Sequence, residues 1–159
     1  MYSLILLLPL LGFFSGSLFG LFFGYGTCII TTVLLFFTFL LSLNLFLTIA
    51  INGGVYKLTL FNWFNCDSLN IDWSLCFDSL TSIMLIVVTF ISLLVHLYSI
   101  EYMSHDPHQP RFMSYLSLFT FFMIILVTGN NLLQMFVGWE GVGLASYLLI
   151  NFWFTRIQA

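Results

Sequence analysis

The sequence predicts an all-α polytopic membrane protein with about five transmembrane helices and a β-hairpin-like loop between the second and third helices. Two observations lead to this fold class. Hydrophobic residues make up 61% of the 159-residue chain and charged residues only 6%, whereas soluble domains carry roughly 25% charged residues. Long apolar segments also recur, and short polar turns separate them. A soluble globular domain does not fit this composition, and no basic excess suggests a nucleic-acid partner.

Residues 1–51 are predicted to form two peripheral transmembrane helices, about Tyr2–Gly24 and about Thr27–Ile51. In the first of them glycine recurs at every fourth position. Such a tandem GxxxG series lets another helix approach closely in lipid, where packing drives helix association. We interpret the series as a packing seam without chemistry; its members are Gly12, Gly16, Gly20 and Gly24.

Residues 52–78 form the longest polar stretch and are predicted to be a β-hairpin on the membrane surface. The segments VYKLTLFNWF and IDWSLCF alternate in polarity and are rich in β-forming residues. Trp63 and Trp73 suit the membrane interface. Cys66 and Cys76 either face each other across the hairpin or remain two free thiols. We interpret the hairpin as a docking element rather than a catalytic one.

Residues 79–159 are predicted to contain helices three to five, and helix three spans about Ser79–Met103 with Asp78 as its N-cap. A polar stripe runs along this helix at spacings of 3, 4 and 3 residues, which place its members on one helical face. His96 in this stripe is either hydrogen-bonded to a neighbouring helix or a member of a proton relay. The stripe consists of Thr89, Ser92, His96 and Ser99.

A short charged loop, Glu101–Arg111, follows helix three. Its His105 and His108 lie on a proline-broken segment with few further ligands, so we interpret them as solvated rather than as a metal pair. Helix four is predicted over about Phe112–Val127. The turn after it contains Asn130 and Asn131, one of which caps helix five, and that helix is predicted to run to about Thr155.

Helix five carries a carboxylate, Glu140, inside the apolar stretch Gln134–Phe154. It lies nine positions after Asn131, about 13 Å along a helix, so it is expected near the midplane of a hydrocarbon core about 30 Å thick. Intramembrane ionisable groups are candidates for function. Small residues surround Glu140, and Gly143 on its face leaves room for a partner helix or for water.

Two interpretations of Glu140 follow from the physics of a buried carboxylate. Desolvation favours the protonated form, and a nearby cation favours the charged form. A glutamate whose cationic partner comes and goes is a proton-affinity switch, as a proton relay requires. A glutamate that is permanently protonated or permanently paired only joins helices.

The basic residues of the chain, Lys57, Arg111 and Arg156, all lie at or outside predicted membrane ends. A cationic partner for Glu140 is therefore expected from another chain or from a continuation of this one. The positive-inside rule places Arg111 and Arg156 on the inner side, and Lys57 with the hairpin on the other side.

The strings FDSLT, SIEYM, RFMSYL and WEGVGLASYLL together resemble the N-terminal part of the chain 5 family of mitochondrial NADH:ubiquinone oxidoreductase, respiratory complex I. The resemblance is close over Phe77–Ala159 and loose over the first two helices. The family also resembles the large subunits of multisubunit Na+/H+ antiporters. The resemblance implies that residues 79–159 begin an antiporter-like proton-translocating module, in which Glu140 works with a lysine on a later helix.

The resemblance further implies a mitochondrial inner-membrane subunit of NADH:ubiquinone reductase (H+-translocating), with the hairpin on the intermembrane-space side. We expect no redox centre and no cofactor in this chain, since no quinone, flavin or iron–sulfur motif occurs in it. NADH, FMN, iron–sulfur clusters and ubiquinone are expected in other subunits. The chain alone is then not catalytic, and its partners are other membrane-arm subunits and membrane lipids.

The chain departs from the family in length, because family members continue for many more helices beyond the position of Ala159. We expect a split-gene product or a truncated chain, and a second chain that carries the remaining helices and the partner lysine. Two other functions stay open. One is a structural membrane-arm fragment without proton conduction, and the other is a subunit of a multisubunit Na+/H+ antiporter.

Overall fold

The computed structural model describes residues 4–23, 26–52, 56–66, 68–102, 109–129 and 132–150. Within these ranges the chain forms five helices and one two-stranded antiparallel sheet, which confirms the predicted fold class. In chain order the elements are α1 (Leu4–Phe23), α2 (Gly26–Asn52), β1 (Tyr56–Cys66), β2 (Leu69–Phe77), α3 (Ser79–Tyr102), α4 (Gln109–Thr128) and α5 (Leu132–Ile150).

Four of the described helices are long and apolar enough to cross a membrane. A crossing needs about 20 predominantly apolar residues. In α1 the described apolar segment is the shorter stretch Ile5–Ser17. The four spans are Cys28–Ile49, Ser79–Tyr102, Pro110–Thr128 and Leu132–Ile150, so the chain is a multi-pass membrane protein.

The predicted hairpin is present between α2 and α3. β1 and β2 pair in antiparallel register from Tyr56 opposite Phe77 to Cys66 opposite Leu69. Cys76 pairs with Lys57 near the base of the ribbon, whereas Cys66 lies beside the turn. Leu69 and Cys76 are seven positions apart, which is roughly 24 Å along a strand. A disulfide needs Cα atoms within about 7 Å, so the idea that the two cysteines face each other is wrong.

Asp78 caps the first turn of α3, as predicted. The backbone N–H of Thr81 donates to Oδ1 of Asp78 over 2.8 Å. The backbone N–H of Ser82 donates to the carbonyl oxygen of Asp78 over 2.9 Å. Hydrogen bonds from the Thr81 backbone and side chain lower the pKa of the Asp78 carboxyl. The cap therefore fixes the point at which the hairpin passes into α3.

Helix α4 begins at Gln109, three residues before the predicted start at Phe112. The reason is Pro110, which fits the first turn of a helix because the N–H it lacks has no partner there.

Several other expectations lie outside the described residues. These concern the loop histidines His105 and His108, the caps Asn130 and Asn131, and Arg156.

Helix α4 is the centre of the packing, because it contacts each of the other described helices. The predicted glycine seam of α1 packs against it. A Cβ atom on Gly12 would lie 3.2 Å from the Ser117 side-chain oxygen and 3.6 Å from Cγ2 of Thr31, and Gly16 is also buried. The described part of the seam thus brings α1 close to both α2 and α4.

An apolar core lies at the hairpin end of the bundle, where α1 and α3 begin and α2 and α4 end. Phe77, the last residue of β2, closes this end and is 1% exposed. The core therefore joins the hairpin to the four helices. Its buried members are Ile5, Leu6, Leu45, Ile49, Phe77, Leu85, Ile124 and Ile125.

Candidate functional site

Helix α5 rests on α4 through a face of small residues. A Cβ atom on Gly138 would lie 2.7 Å from the Leu126 backbone nitrogen, and one on Gly141 would overlap the ring of Phe122. Ala145 on the same face is fully buried. Only glycine lets the two helices come this close, so Gly138 and Gly141 set the rotation of α5 about its axis.

Glu140 lies on the opposite, open face of α5. Its side chain is exposed, and a Cβ atom on Gly143 would meet no described residue within 4 Å. The large neighbours on this face, Phe136 (57% exposed), Leu144 (55%) and Tyr147 (64%), point outward as well. The glycines beside Glu140 in sequence therefore serve the α4 contact, and Gly143 alone keeps the space next to the carboxylate open.

The carboxylate lies well within the helix and carries no ion pair with any residue in the described ranges. Glu140 is eight residues after Leu132, the first residue of α5, which corresponds to about 12 Å along the helix axis. The arginine of α4, Arg111, is in the first turn of that helix, whereas Gly141 packs beside Phe122. The described chain thus holds an intramembrane carboxylate on a face that it does not itself cover.

The polar stripe of α3 has the opposite environment, because the structure places it at helix contacts. Thr89 and His96 are 0% exposed and Ser99 is 4% exposed. The hydroxyls of Thr89 and Ser42 share a hydrogen bond of 3.1 Å that joins α3 to α2. The Ser92 hydroxyl bonds the Thr120 hydroxyl of α4.

His96 is bonded through both ring nitrogens. Nδ1 lies 2.7 Å from the carbonyl oxygen of Ser92, one turn earlier in α3. Nε2 lies 3.4 Å from Oγ of Ser117 on α4, a long hydrogen bond. Both partners are neutral groups, so the imidazole joins α3 to α4 without an ion pair.

The structure does not bring His96 and Glu140 together. Along α4, His96 is level with Ser117. Glu140 lies between Gly138 and Gly141 in α5. Gly138 is level with Leu126 of α4, and Gly141 is level with Phe122. About six residues of α4 separate these levels, or roughly 9 Å along the axis. Glu140 also faces away from α4, the helix that His96 contacts. His96 and Glu140 therefore have separate surroundings.

An apolar groove of about 360 Å³ lies between α3 and α4, and Leu149 of α5 closes one side. Ser92 and Thr120 are among its lining residues, and their hydroxyls are bonded to each other. The rest of the lining is apolar. Among the described residues no three His, Cys, Asp or Glu side chains are grouped so as to hold a metal ion.

Sequence reasoning missed the α4 side of the polar contact. Ser114, Ser117 and Thr120 are all buried, with exposures of 1%, 3% and 1%. Their spacing of three residues places them on one helical face. This signal is as regular as the stripe of α3, and it would have identified α4 as the neighbour of that stripe.

Two segments of the chain match known families. Residues 63–113 match the family described as NADH-Ubiquinone oxidoreductase (complex I), chain 5 N-terminus. Residues 129–159 match the family described as NADH:quinone oxidoreductase/Mrp antiporter, TM. Over its whole length the chain is 59% identical to NADH-ubiquinone oxidoreductase chain 5 of Triticum aestivum and 58% identical to that of Arabidopsis thaliana. The chain belongs to the chain 5 family of complex I.

A third member of the chain 5 family, from Phytophthora infestans, is 58% identical over 98% of the chain. The similarity therefore includes the first two helices, which the sequence motifs linked to the family only loosely. The chain spans about a quarter of the length of these relatives, since each alignment covers 24% of the relative.

Proposed function

We propose that this chain is part of the membrane arm of respiratory complex I in the mitochondrial inner membrane and that Glu140 handles protons there. The observation that carries the proposal is a carboxylate on the open face of a membrane helix. Intramembrane carboxylates are costly, and they typically face a bundle interior or a water-filled cavity. The face of α5 that bears Glu140 is left open within the described chain, so further helices are expected to cover it.

A carboxylate of this kind moves protons when its neighbour changes. A cation nearby favours the charged form, and withdrawal of the cation, which leaves a desolvated carboxylate unpaired, favours the protonated form. The open space at Gly143 next to Glu140 admits a lysine side chain or water. Proton uptake and release would then follow from the position of the cation, with no redox group in this chain.

The cation is proposed to come from the part of the protein that corresponds to the remaining three quarters of the relatives' length, on this polypeptide or on a second chain. Other membrane-arm subunits and lipids complete the surroundings. NADH, FMN, iron–sulfur clusters and ubiquinone are assigned to other subunits, so the chain contributes to NADH:ubiquinone oxidoreduction only as a subunit. Residues 1–51 act as peripheral helices, residues 52–78 dock on the intermembrane-space side, and residues 79–159 begin the translocating module.

The test is Glu140→Gln in the assembled complex, with the number of protons moved per electron as the readout. Glutamine keeps the size and hydrogen bonding of the side chain but cannot release a proton. We expect normal assembly with a reduced proton-to-electron ratio. The matched control is Glu101→Gln, the same change at an exposed position near the end of α3, which should leave the ratio unchanged.

A normal ratio in an assembled Glu140→Gln complex would contradict the relay and favour the structural-fragment alternative. The second alternative, a subunit of an Na+/H+ antiporter, draws on the family description shared with Mrp antiporters. The relatives at 58–59% identity bear the complex I name and favour complex I. Comigration of the chain with NADH dehydrogenase activity in native electrophoresis separates these two functions.

A further inference from the structure

One buried ionisable group, His96, is not used by the proposed relay. We infer that His96 is a positioning residue, a neutral imidazole that fixes α4 against α3, and not a carrier of protons. The inference rests on the proposed function in one respect only, namely that the proton-handling group being positioned is Glu140.

The hydrogen bonds of His96 do not form a path for protons. Nδ1 lies 2.7 Å from the backbone carbonyl oxygen of Ser92. A carbonyl oxygen only accepts a hydrogen bond and has no proton to pass on, so Nδ1 carries the proton and holds it there. In the neutral ring Nε2 is then the acceptor, and it faces the hydroxyl of Ser117. A proton that reached Nε2 would have no exit through Nδ1.

The surroundings of His96 favour the neutral ring. The side chain is 0% exposed, and a buried charge is costly unless an opposite charge is beside it. The acidic side chains of the described helices and their caps lie elsewhere. Asp78 caps the far end of α3, Glu101 is exposed, and Glu140 faces away from α4. Among the described residues no carboxylate is therefore placed to pair with an imidazolium at this position, and the acceptor on Nδ1 is a neutral carbonyl.

Four helices meet around the partner of His96. Ser117 of α4 lies against Gly12 of α1, and Thr31 of α2 lies beside the same glycine. One turn along α3, the bonded hydroxyls of Ser92 and Thr120 form a second link between α3 and α4. The position of α4 is thus fixed by polar contacts on its α3 side.

The same helix supports Glu140 from its other side. Phe122 and Leu126 of α4 form the surface on which Gly141 and Gly138 of α5 rest. A shift of α4 relative to α3 would therefore move α5 and turn the face that carries Glu140. His96 acts on the proton-handling site through α4, without contact to the carboxylate.

The test compares His96→Gln with His96→Leu in the assembled complex. A glutamine amide offers an acceptor to Ser117 but does not titrate, so a positioning role predicts wild-type assembly, a wild-type proton-to-electron ratio and an unchanged pH profile of pumping. Leucine fills the space without an acceptor. Its complex is expected to have a lower thermal transition and a lower assembled yield. Because α4 then shifts beneath α5, the proton-to-electron ratio of the assembled fraction should also fall.

Each alternative outcome would overturn the inference in a different way. An assembled His96→Gln complex with a reduced ratio or an altered pH profile would make His96 a proton carrier. If His96→Gln fails to assemble, or if the His96→Leu complex is as stable as the wild type, then His96 does not hold α4 by accepting a hydrogen bond from Ser117. Ser117→Ala deletes the donor from the other side of the same contact, so it should lower the thermal transition and the ratio in the same direction as His96→Leu, with an unchanged pH profile.

The parallel Glu140→Gln variant keeps the two proposals apart. If its ratio is normal, the proposed function of Glu140 fails whatever the histidine variants do. If its ratio is reduced and the ratio of His96→Gln is normal, both proposals stand.

Discussion

The polar stripe of α3 and the outer face of α5 both place polar side chains inside apolar helices, yet their surroundings are opposite. Thr89 and His96 are fully buried and bonded within the bundle. Glu140 is exposed, and no described residue occupies the space at Gly143 beside it. The stripe is a contact completed within the chain, whereas no described residue covers the α5 face that carries Glu140.

The difference separates two uses of polarity in a membrane protein. Neutral hydroxyl and imidazole groups that find partners on adjacent helices contribute packing and modest hydrogen-bond energy. A carboxylate without a partner is too costly to face lipid chains at this depth. Burial and a complete set of partners therefore indicate a structural role, and an uncovered charge indicates a site.

The largest stability effect is expected at the glycine contact that orients α5. In Gly141→Ala the added methyl overlaps the ring of Phe122, and overpacking of this kind typically costs about 1–3 kcal/mol. We expect a lower yield of assembled complex and a lower thermal transition. The change also turns α5, so the proton-to-electron ratio of the assembled fraction should fall.

The control for this variant is Gly143→Ala on the opposite face. The described chain leaves that methyl in open space, so the packing of α5 on α4 should be unaffected. A reduced ratio in an assembled Gly143→Ala complex would indicate that a neighbour occupies the space beside Glu140. Equal losses of stability in both variants would contradict the assignment of the two faces.

A smaller effect is expected at the cap of α3, which borders the hairpin. Asp78→Ala removes the acceptor for the Thr81 N–H, and loss of such a cap typically costs about 1 kcal/mol. Amide hydrogen exchange at the first turn of α3 measures the effect. We expect faster exchange at Thr81 and unchanged exchange in the middle of the helix.

The cap also predicts a pH dependence with a definite sign. The bonds from Thr81 lower the pKa of Asp78 in the folded state, so its stabilisation is complete above the unfolded pKa of about 3.9. It is lost as the pH falls through the lower folded value. The protection of the Thr81 amide against hydrogen exchange should therefore stay constant from neutral pH to mildly acidic pH and then decline. In Asp78→Asn, which keeps the cap without the charge, the decline should disappear; its persistence would assign the pH dependence to another group.

The smallest effect is expected within the polar stripe itself. Thr89→Val and Ser42→Ala each remove one partner of the hydrogen bond between α3 and α2. Such interhelical bonds contribute about 0.6 kcal/mol on average in membrane proteins. A double-mutant cycle on the thermal stability of the complex should give a coupling of about that size, with normal pumping in each variant. Loss of pumping without loss of stability would assign the stripe a part in proton transfer.

Local signals in the sequence predicted much of the fold. The alternating segments around residues 55–77 predicted the hairpin, and the position of Asp78 before the apolar run predicted the cap of α3. These features depend on residues that are close in sequence. The pairing of Cys66 and Cys76 was left open because register depends on where the turn falls, and a shift of a few residues changes every partner.

The direction of Glu140 was not predictable in the same way. In a soluble helix an apolar stripe shows which face packs inward, but α5 is apolar around most of its circumference. Glycines on both sides of the carboxylate looked alike in sequence. Only the contacts of Gly138 and Gly141 with α4, and the empty space at Gly143, distinguish the packed face from the open one.

The most direct test of the central claim is an experimental structure of the assembled complex at a resolution that shows ordered water around Glu140. We expect a neighbouring helix over the open face of α5, with a lysine or a water-filled cavity next to the carboxylate. Lipid acyl chains packed against Glu140, with no cation and no water in contact, would contradict it.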